Sequence, residues 1–368
     1  MFKFILKAQR IKLITFKNNW HNKKIILYGC GQLTKMVISL WPKGVPQPQF
    51  IVDKYQTLKS LNGIPIIHIN ELSFINNEDY ALLLSAFKLN IYDVIQDLEK
   101  HQFEFSGTVY DLLEKFLPSK FSNGWSFDNS NLNINEILKN YNMFADELSK
   151  DLFKSNLMWR YNRTIQKSSY DQLIHESQKY INELTIPGIK KADLAIDLGS
   201  WDGSFINHFN YYNNKASVLG FEPDPTSFER AQKNIRQLKN ATMIRMAISN
   251  KKKKELFFSN GGLSSRIVET NSDSNLMVES TTLDELFHNK INSENIALKI
   301  HIEGKELEAI QGGKEFIRSK HPLIMINCSH NQNQLMKTPF ILEELGYEKI
   351  FLRAYSNFGE GLTCYAFD

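Results

Sequence analysis

The sequence predicts an α/β protein with two doubly wound domains joined by a helical connector. Short apolar runs, typical of buried parallel strands, alternate with helix-compatible segments in both halves of the chain. In each half, the first of these runs ends in a glycine-containing turn that leads into a helix. The length of 368 residues is ample for two domains. We expect a first domain over residues 1–120, a connector over 121–191 and a second domain over 192–368.

Composition excludes several classes of protein. The net charge of +4 is small and the basic residues are scattered, so no nucleic-acid partner is expected. Three widely separated cysteines argue against a disulfide framework and fit a cytoplasmic location. No stretch has the length and apolarity of a transmembrane span. Residues 1–20 are basic, and they could form a leading helix packed on the first domain or make weak peripheral contact with a membrane. The sequence leaves the oligomeric state open, and the protein could form a homo-oligomer.

The first domain begins with the strand Lys24–Tyr28, which meets the turn Gly29-Cys30-Gly31. Asp53 stands at the tip of the second strand, where such folds bind nucleotides. Because the turn lacks the third glycine of the dinucleotide motif, it could bind a nucleotide or nucleotide-sugar through Gly29, Gly31 and Asp53, or bind nothing. These features, together with Asn62-Gly63-Ile64-Pro65, resemble the small Rossmann-like domain of PglD-type sugar acyltransferases and of some sugar methyltransferases.

The connector has apolar residues at helical spacing over residues 134–148 and 158–184. Its helices could cover the second sheet, and part of them could also form a lid over a ligand pocket. The pattern is compatible with both.

The second domain opens with the buried strand Leu194–Leu198, which contains Asp197 and leads into Gly199 and Gly203. The next strand ends in Glu222, a position from which a carboxylate can hold a ribose diol. The glycines allow close backbone approach, and the helix N-terminus that follows favours polar groups. The predicted cofactor-binding residues are Asp197, Gly199, Ser200, Trp201, Gly203, Glu222, Pro223, Met246 and Ala247.

Four ordered motifs of this domain resemble the FkbM family of S-adenosylmethionine-dependent O-methyltransferases. They are Ile196-Asp197-Leu198-Gly199 with Gly203, Phe221-Glu222-Pro223, Thr282-Leu283-Asp284-Glu285-Leu286, and the segment from Leu298 to Glu308. The resemblance implies a class I methyltransferase fold with S-adenosylmethionine as cofactor.

Two later segments resemble a branch of that family from bacterial surface-sugar loci. They are His321-Pro322-Leu323 with His330, and Leu352-Arg353-x-Tyr355-Ser356. This resemblance implies that the acceptor is the hydroxyl of a sugar, nucleotide-sugar or glycan in capsule, lipopolysaccharide or related biosynthesis. The sequence departs from the pattern at three positions. The family usually has Asp where His301 stands, and the wider family often has an acid where Asn327 stands. The branch commonly has a second His where Ala354 stands.

Methyl transfer to a hydroxyl needs alignment and a base on the acceptor side. The candidates are His330, His301 and Glu303, and His330 is favoured because an imidazole titrates near neutral pH. Each of them could instead be a hydrogen-bonded structural residue. No metal site is predicted, because Cys328 with two histidines has no ligand signature, although an acid with a histidine could hold Mg²⁺ if the acceptor carries phosphate. The alternative function is a catalytically degenerate module that binds a nucleotide-sugar or a partner enzyme.

Overall fold

The computed structural model describes residues 13–15, 20–55, 57–86, 89–116, 133–166, 171–259, 265–268, 274–356 and 361–368. These residues form two compact units, each with its own core. The first unit contains the described residues within Met1–Asn129, Ser155–Asp171 and Ser356–Gly359. The second contains those within Ser130–Lys154, Gln172–Tyr355 and Glu360–Asp368.

The first unit contains a six-stranded sheet in the order β4-β5-β3-β2-β6-β7. Its strands are β2 (Lys24–Tyr28), β3 (Phe50–Val52), β4 (Ser60–Leu61), β5 (Ile64–Ile67), β6 (Tyr80–Leu84) and β7 (Phe105–Thr108). Its helices are α1 (Gln32–Ser39), α2 (Ile91–Glu99) and α3 (Val109–Phe116). All pairings are parallel except that of β4 with β5. The α/β prediction for this half is confirmed, and its central strands are buried because helices cover a parallel sheet on both faces.

The N-terminal segment differs from the expected leading helix where the structure describes it. β1 (Leu13–Thr15) is a strand that pairs antiparallel with β8 (Thr164–Gln166). Residues 1–12 and 16–19, on which the expected membrane contact depends, lie outside the described residues.

The predicted connector is helical only in part, and its described residues are divided between the two units. Its helices are α4 (Ile134–Met143), α5 (Glu147–Asn162) and α6 (Ile186–Lys191). The helix predicted over 158–184 is wrong, because α5 ends at Asn162 and Arg163 has a left-handed φ of 55° that a right-handed helix cannot contain. Tyr180 and Ile181, which belong to this apolar pattern, instead lie in a non-helical segment and are buried in the core of the second unit.

The second unit contains a seven-stranded sheet in the order β11-β10-β9-β16-β17-β19-β18. Its strands are β9 (Leu194–Leu198), β10 (Ser217–Phe221), β11 (Ala241–Ile244), β16 (Ile296–Ile300), β17 (Leu323–Asn327), β18 (Lys349–Ala354) and β19 (Leu362–Phe367). The first five in the sheet are parallel, and β19 runs antiparallel to both of its neighbours. The chain reverses direction of winding between β9 and β16, and ligands of such sheets bind beside that point at the carboxyl ends of the strands.

Helices and a second, smaller sheet complete this unit. The helices are α7 (Ser204–Tyr212), α8 (Pro225–Ile235), α9 (Leu283–Phe287), α10 (Glu306–Gln311), α11 (Lys314–Lys320) and α12 (Gln332–Glu344). The small sheet has the order β12-β15-β13-β14, with β12 (Ala247–Ile248), β13 (Lys253–Phe258), β14 (Arg266–Ile267) and β15 (Leu276–Thr281).

The sequence pattern predicts a helix over residues 305–316 and another over residues 339–345, and both have different bounds in the structure. The helix expected over 305–316 is split into α10 and α11, because backbone and side chains of other segments approach Gly312 and Gly313 closely. A Cβ on Gly312 would lie 2.3 Å from the Ser249 carbonyl oxygen. The helix expected to begin at Pro339 begins at Gln332, because the Asn331 side chain accepts a hydrogen bond from the amide of Gln334 and caps it there.

Candidate active site

A cavity of about 250 Å³ opens at the carboxyl ends of β9, β10 and β16 in the second unit. Seven of the nine predicted cofactor residues line it: Gly199, Ser200, Trp201, Glu222, Pro223, Met246 and Ala247. His301 and Glu303 also line it, so the predicted cofactor turn and two of the predicted catalytic residues share one cavity. Asp197, Gly203 and His330 do not line it.

The turn after β9 needs glycine at its first position for two reasons. Gly199 has a left-handed φ of 77°, and a Cβ there would lie 1.8 Å from the carbonyl oxygen of His301. The backbone of this turn therefore lies directly against the backbone of the loop after β16. Trp201 also has a positive φ, 49°, which a residue with a side chain rarely adopts. Gly203 begins α7 with a φ of 77°.

Glu222 holds the turn from the tip of β10. Its Oε2 accepts a hydrogen bond from the Trp201 amide at 2.8 Å, and its Oε1 accepts one from the Asp224 amide at 2.9 Å. Burial raises the pKa of Glu222 to about 7, against the opposing effect of the two amides. A carboxylate that lines the cavity and has lone pairs left can accept hydrogen bonds from a diol.

Asp197 and Lys299 form a buried ion pair beside the cavity, and Lys299 lines it. They are partners in the register of β9 and β16, and Lys299 Nζ lies 2.8 Å from Asp197 Oδ1. The same ammonium donates to the carbonyl oxygens of Leu198 and Gly199, at 3.2 and 2.6 Å. Asp197 therefore acts from below the turn rather than on a ligand. Lys299 was not predicted as a site residue, although a single charge within an otherwise apolar strand was a usable signal.

Two histidines and one carboxylate meet where the loop after β16 lines the cavity. Glu303 Oε1 lies 3.1 Å from His301 Nε2, and Glu303 Oε2 lies 3.5 Å from His330 Nε2. The two imidazole rings are 5.0 Å apart between centroids. The structure thus brings together all three predicted catalytic residues, with His330 behind Glu303. Tyr180, which was not predicted, is hydrogen-bonded to His301 Nδ1.

Glu306 supports this cluster from the interior, and the sequence did not single it out. Its Oε1 lies 2.8 Å from His330 Nδ1, and its carboxylate accepts hydrogen bonds from the amides of Ile302 and Gly304, both at 3.0 Å. The Gln334 side chain donates to the same carboxylate and accepts from the His330 amide. Glu306 is fully buried, and this set of donors is what stabilises its charge.

The electrostatics of the two histidines differ. Burial lowers the pKa of His301 to about 4, although Glu303 opposes the shift. Burial also disfavours the charged form of His330, but Glu306 and Glu303 outweigh it and raise the pKa of His330 well above its usual range. His330, the favoured base, is therefore positively charged at neutral pH in this arrangement, whereas His301 is neutral.

In the first unit, the predicted nucleotide site has a similar local geometry. Asp53 Oδ2 accepts a hydrogen bond from the Cys30 amide between Gly29 and Gly31, and Oδ1 accepts one from the Tyr55 amide, both at 2.8 Å. The three predicted residues are thus adjacent. Whether they bind a ligand stays a prediction.

Comparisons with known proteins support the assignment of the second unit. A family model described as the methyltransferase FkbM domain matches residues 196–349. The crystal structure of methyltransferase FkbM from Methylobacillus flagellatus KT is 15% identical, with a TM-score of 0.69, and the match covers 94% of this chain and 90% of that one. At this identity the match shows a shared fold. No curated protein matches the chain.

Other solved methyltransferases match about half of this chain. Precorrin-6y C5,15-methyltransferase from Geobacter metallireducens GS-15 is 10% identical, with a TM-score of 0.32, covering 54% of this chain and 95% of that one. Aeropyrum pernix fibrillarin, solved with bound S-adenosyl-L-methionine, is 12% identical, with a TM-score of 0.31, covering 52% of this chain and 76% of that one. Their TM-scores are too low to support further argument.

Residues 196–349 of the second unit therefore match the methyltransferase FkbM domain, and the predicted methyltransferase activity class is confirmed. The match begins at residue 196, so the likeness of the first unit to PglD-type domains stays a prediction. Within the described residues, no helix combines the length and apolarity needed to cross a membrane.

Proposed function

We propose that this protein transfers a methyl group from S-adenosylmethionine to a hydroxyl of a sugar, nucleotide-sugar or glycan acceptor in bacterial surface-glycan biosynthesis. The observation that supports it is the single cavity lined by the glycine turn and Glu222 on one side and by His301 and Glu303 on the other. In this proposal, the first side binds the nucleoside of the cofactor and the second side faces the acceptor. The sugar acceptor and its pathway rest on the sequence resemblance alone.

In this proposal the ribose diol donates hydrogen bonds to Glu222, and Gly199 lets the cofactor approach the backbone of the turn. The acceptor oxygen then lies on the His301 and Glu303 side. It attacks the methyl carbon, a C–O bond forms, and the S–CH₃ bond breaks to leave S-adenosylhomocysteine. Because the sulfonium is already activated, the protein contributes mainly alignment and removal of the hydroxyl proton.

The test is calorimetric titration of the full chain with S-adenosylmethionine and S-adenosylhomocysteine. Loss of hydrogen bonds to a charged group costs about 1.5–3 kcal/mol, so Glu222→Ala should weaken binding roughly 10- to 100-fold. Glu229→Ala is the matched control, because Glu229 is an exposed carboxylate on the neighbouring α8. No binding by the intact protein, or equal binding by the two variants, would contradict the proposed cofactor site.

The acceptor is tested by mass spectrometry of nucleotide-sugars and glycans incubated with protein and S-adenosylmethionine. A product heavier by one methyl group that appears only with both components supports sugar O-methylation. Cofactor binding without transfer to any acceptor would favour the alternative of a degenerate binding module.

A further inference from the structure

The group formed by His301, Glu303 and His330 has the composition and spacing of a metal site. One ligand atom from each residue lies within 4.8 Å of those of the other two. Ligands bound at about 2.1 Å in tetrahedral or octahedral geometry lie roughly 3.0–3.4 Å apart. Glu303 Oε1 lies 3.1 Å from His301 Nε2 and Glu303 Oε2 lies 3.5 Å from His330 Nε2, which is close to this spacing for a carboxylate that binds the ion through both oxygens.

The second nitrogen of each ring already has an oxygen partner. His330 Nδ1 lies 2.8 Å from the Glu306 carboxylate, which only accepts, so Nδ1 carries a proton. His301 Nδ1 is hydrogen-bonded to the Tyr180 hydroxyl, which can accept from it. An ion that binds here displaces the protons on Nε2, so that both Nε2 atoms, which already lie beside Glu303, can bind it while Nδ1 keeps its proton. Histidines that bind metals are oriented in this way by a carboxylate or hydroxyl on the other nitrogen.

The partners that orient the ligands are themselves held rigidly. Glu306 is fully buried and receives hydrogen bonds from two backbone amides and from Gln334. Glu303 has a left-handed φ of 54°, a conformation that costs energy for a residue with a side chain and persists only where its surroundings impose it. The structure therefore maintains a strained backbone that turns the Glu303 carboxylate toward both imidazoles.

We propose that His301, Glu303 and His330 bind one divalent first-row transition-metal ion at the acceptor side of the cavity. Two imidazoles and one carboxylate favour Zn²⁺, Fe²⁺, Co²⁺ or Mn²⁺ over Mg²⁺ and Ca²⁺, which prefer oxygen ligands. This proposal departs from the expectation of no metal site, which allowed only that an acid with a histidine could hold Mg²⁺ if the acceptor carries phosphate.

The inference rests on the proposed function and names the acceptor class for it. Three protein ligands leave coordination positions open toward the cavity, and two adjacent hydroxyls of a sugar can occupy them. A hydroxyl bound to the ion loses its proton to water more readily than a free one. The resulting alkoxide oxygen attacks the sulfonium methyl, with the bond changes described above. The acceptor is thus a vicinal diol rather than an isolated hydroxyl.

Direct metal binding is the test. The full chain is stripped with a chelator, dialysed and titrated with Co²⁺ alone, and the visible ligand-field absorption is followed. We expect one equivalent to bind, and His301→Ala, Glu303→Ala and His330→Ala each to weaken binding by at least 100-fold. His208→Ala is the matched control, because His208 lines the same cavity outside the group and should leave the titration unchanged. Absence of a saturable absorption band in the intact protein, or equal titrations for the control and the three variants, overturns the proposal.

Glu306→Gln separates a metal site from a purely structural cluster. Glutamine keeps the shape of the side chain, so we expect the variant to fold and to retain the band, with Co²⁺ affinity lowered about 10- to 100-fold and the band shifted. An unchanged affinity and band would contradict the role given to Glu306 as a positioning residue and, with it, the proposed geometry.

Failure of the metal site and failure of the proposed function give different results. Co²⁺ binding is measured without S-adenosylmethionine, and cofactor binding is measured by calorimetry on the stripped protein. Cofactor binding without a Co²⁺ site overturns only this inference. A Co²⁺ site whose spectrum changes on addition of a vicinal diol sugar, and not of its monodeoxy analogue, supports the acceptor class. An identical response to both sugars overturns that class.

Discussion

At the scale of single residues, backbone conformation and side-chain chemistry are coupled at the cavity. Gly199 can lie against the His301 carbonyl only because it has no Cβ, and Trp201 and Glu303 both adopt left-handed φ values. Strain of this kind, about 1–3 kcal/mol per residue, is typical of functional sites. Several residues that line the cavity therefore have backbone conformations that are unfavourable on their own and that the surrounding structure must impose.

Glu222 provides a pH-dependent prediction at the same scale. Its pKa is raised from 4.5 to about 7 in the folded chain, so the folded state binds this proton more tightly than the unfolded state does. Its contribution to stability is present below pH 4.5 and is lost as the pH rises through about 7. The loss is at most about 3 kcal/mol, from about 1.4 kcal/mol per pH unit.

Glu222→Gln removes this ionisation while keeping the side-chain shape. We expect the variant to gain stability relative to the wild type between pH 5 and pH 8, as judged by thermal melting of both proteins in the same buffers. Titration of other groups cancels in the difference between the two. A difference in melting temperature that stays constant over this range would show that burial does not raise this pKa.

At the scale of secondary-structure elements, β9 and β16 are joined by more than their ladder. Asp197 is fully buried and Lys299 nearly so, and their ion pair crosses between the two central strands of the sheet. Removal of one member of such a pair leaves an unpaired buried charge, whereas removal of both does not. The pair therefore sets the relative position of the cofactor turn and the loop that carries His301.

This arrangement predicts strong coupling in a double-mutant cycle. Lys299→Met should lower the free energy of unfolding by about 3–5 kcal/mol, and Asp197→Asn with Lys299→Met should cost less than the two single changes together. Urea denaturation followed by circular dichroism measures each variant. Lys252→Met is the control, because its ion pair with Glu285 is exposed to solvent and should change the free energy of unfolding far less than the buried pair does. Additive effects would show that the buried pair is not coupled.

At the scale of the whole molecule, two α/β units have separate cores and similar turns after their first parallel strands. In each unit, an acid beyond the next strand accepts hydrogen bonds from an amide of the turn and from the amide two residues after itself. In the second unit, the cavity beside this turn is also lined by His301 and Glu303. The match to the methyltransferase FkbM domain lies in the same unit, to which we assign the proposed methyl transfer.

Amide hydrogen exchange along the chain tests this assignment. Saturating S-adenosylmethionine should slow amide exchange in residues 198–204, 221–224 and 246–248 and leave residues 28–32 and 53–55 unchanged. The segments compared are the two turns and their acids, so each serves as the control for the other. Slower exchange at the first turn, or an unchanged second turn, would place the cofactor elsewhere than proposed.

Local patterns in the sequence were sufficient to predict much of the fold and the cofactor side of the site. The strands around Gly29 and Gly199 were predictable because apolar runs, turn glycines and strand-tip acids are consecutive in the chain. Helix boundaries that depend on contacts with distant segments were not predictable from local patterns. Gly312 and Gly313 divide a helix, and Ser249 and Leu283 lie against them. The spacing of apolar residues also does not predict that α5 ends just before Arg163, which has a left-handed φ.

The sequence by itself determined the α/β class, the glycine turn with Glu222, and the three polar residues on the acceptor side. Only the tertiary structure decided that Asp197 lies beneath the turn with Lys299 and that Glu306 orients His330. The physical reason is the pairing of parallel strands. The loop after β16 and the segment after β17 are distant in sequence, and their side chains meet because the two strands end at the same edge of the sheet.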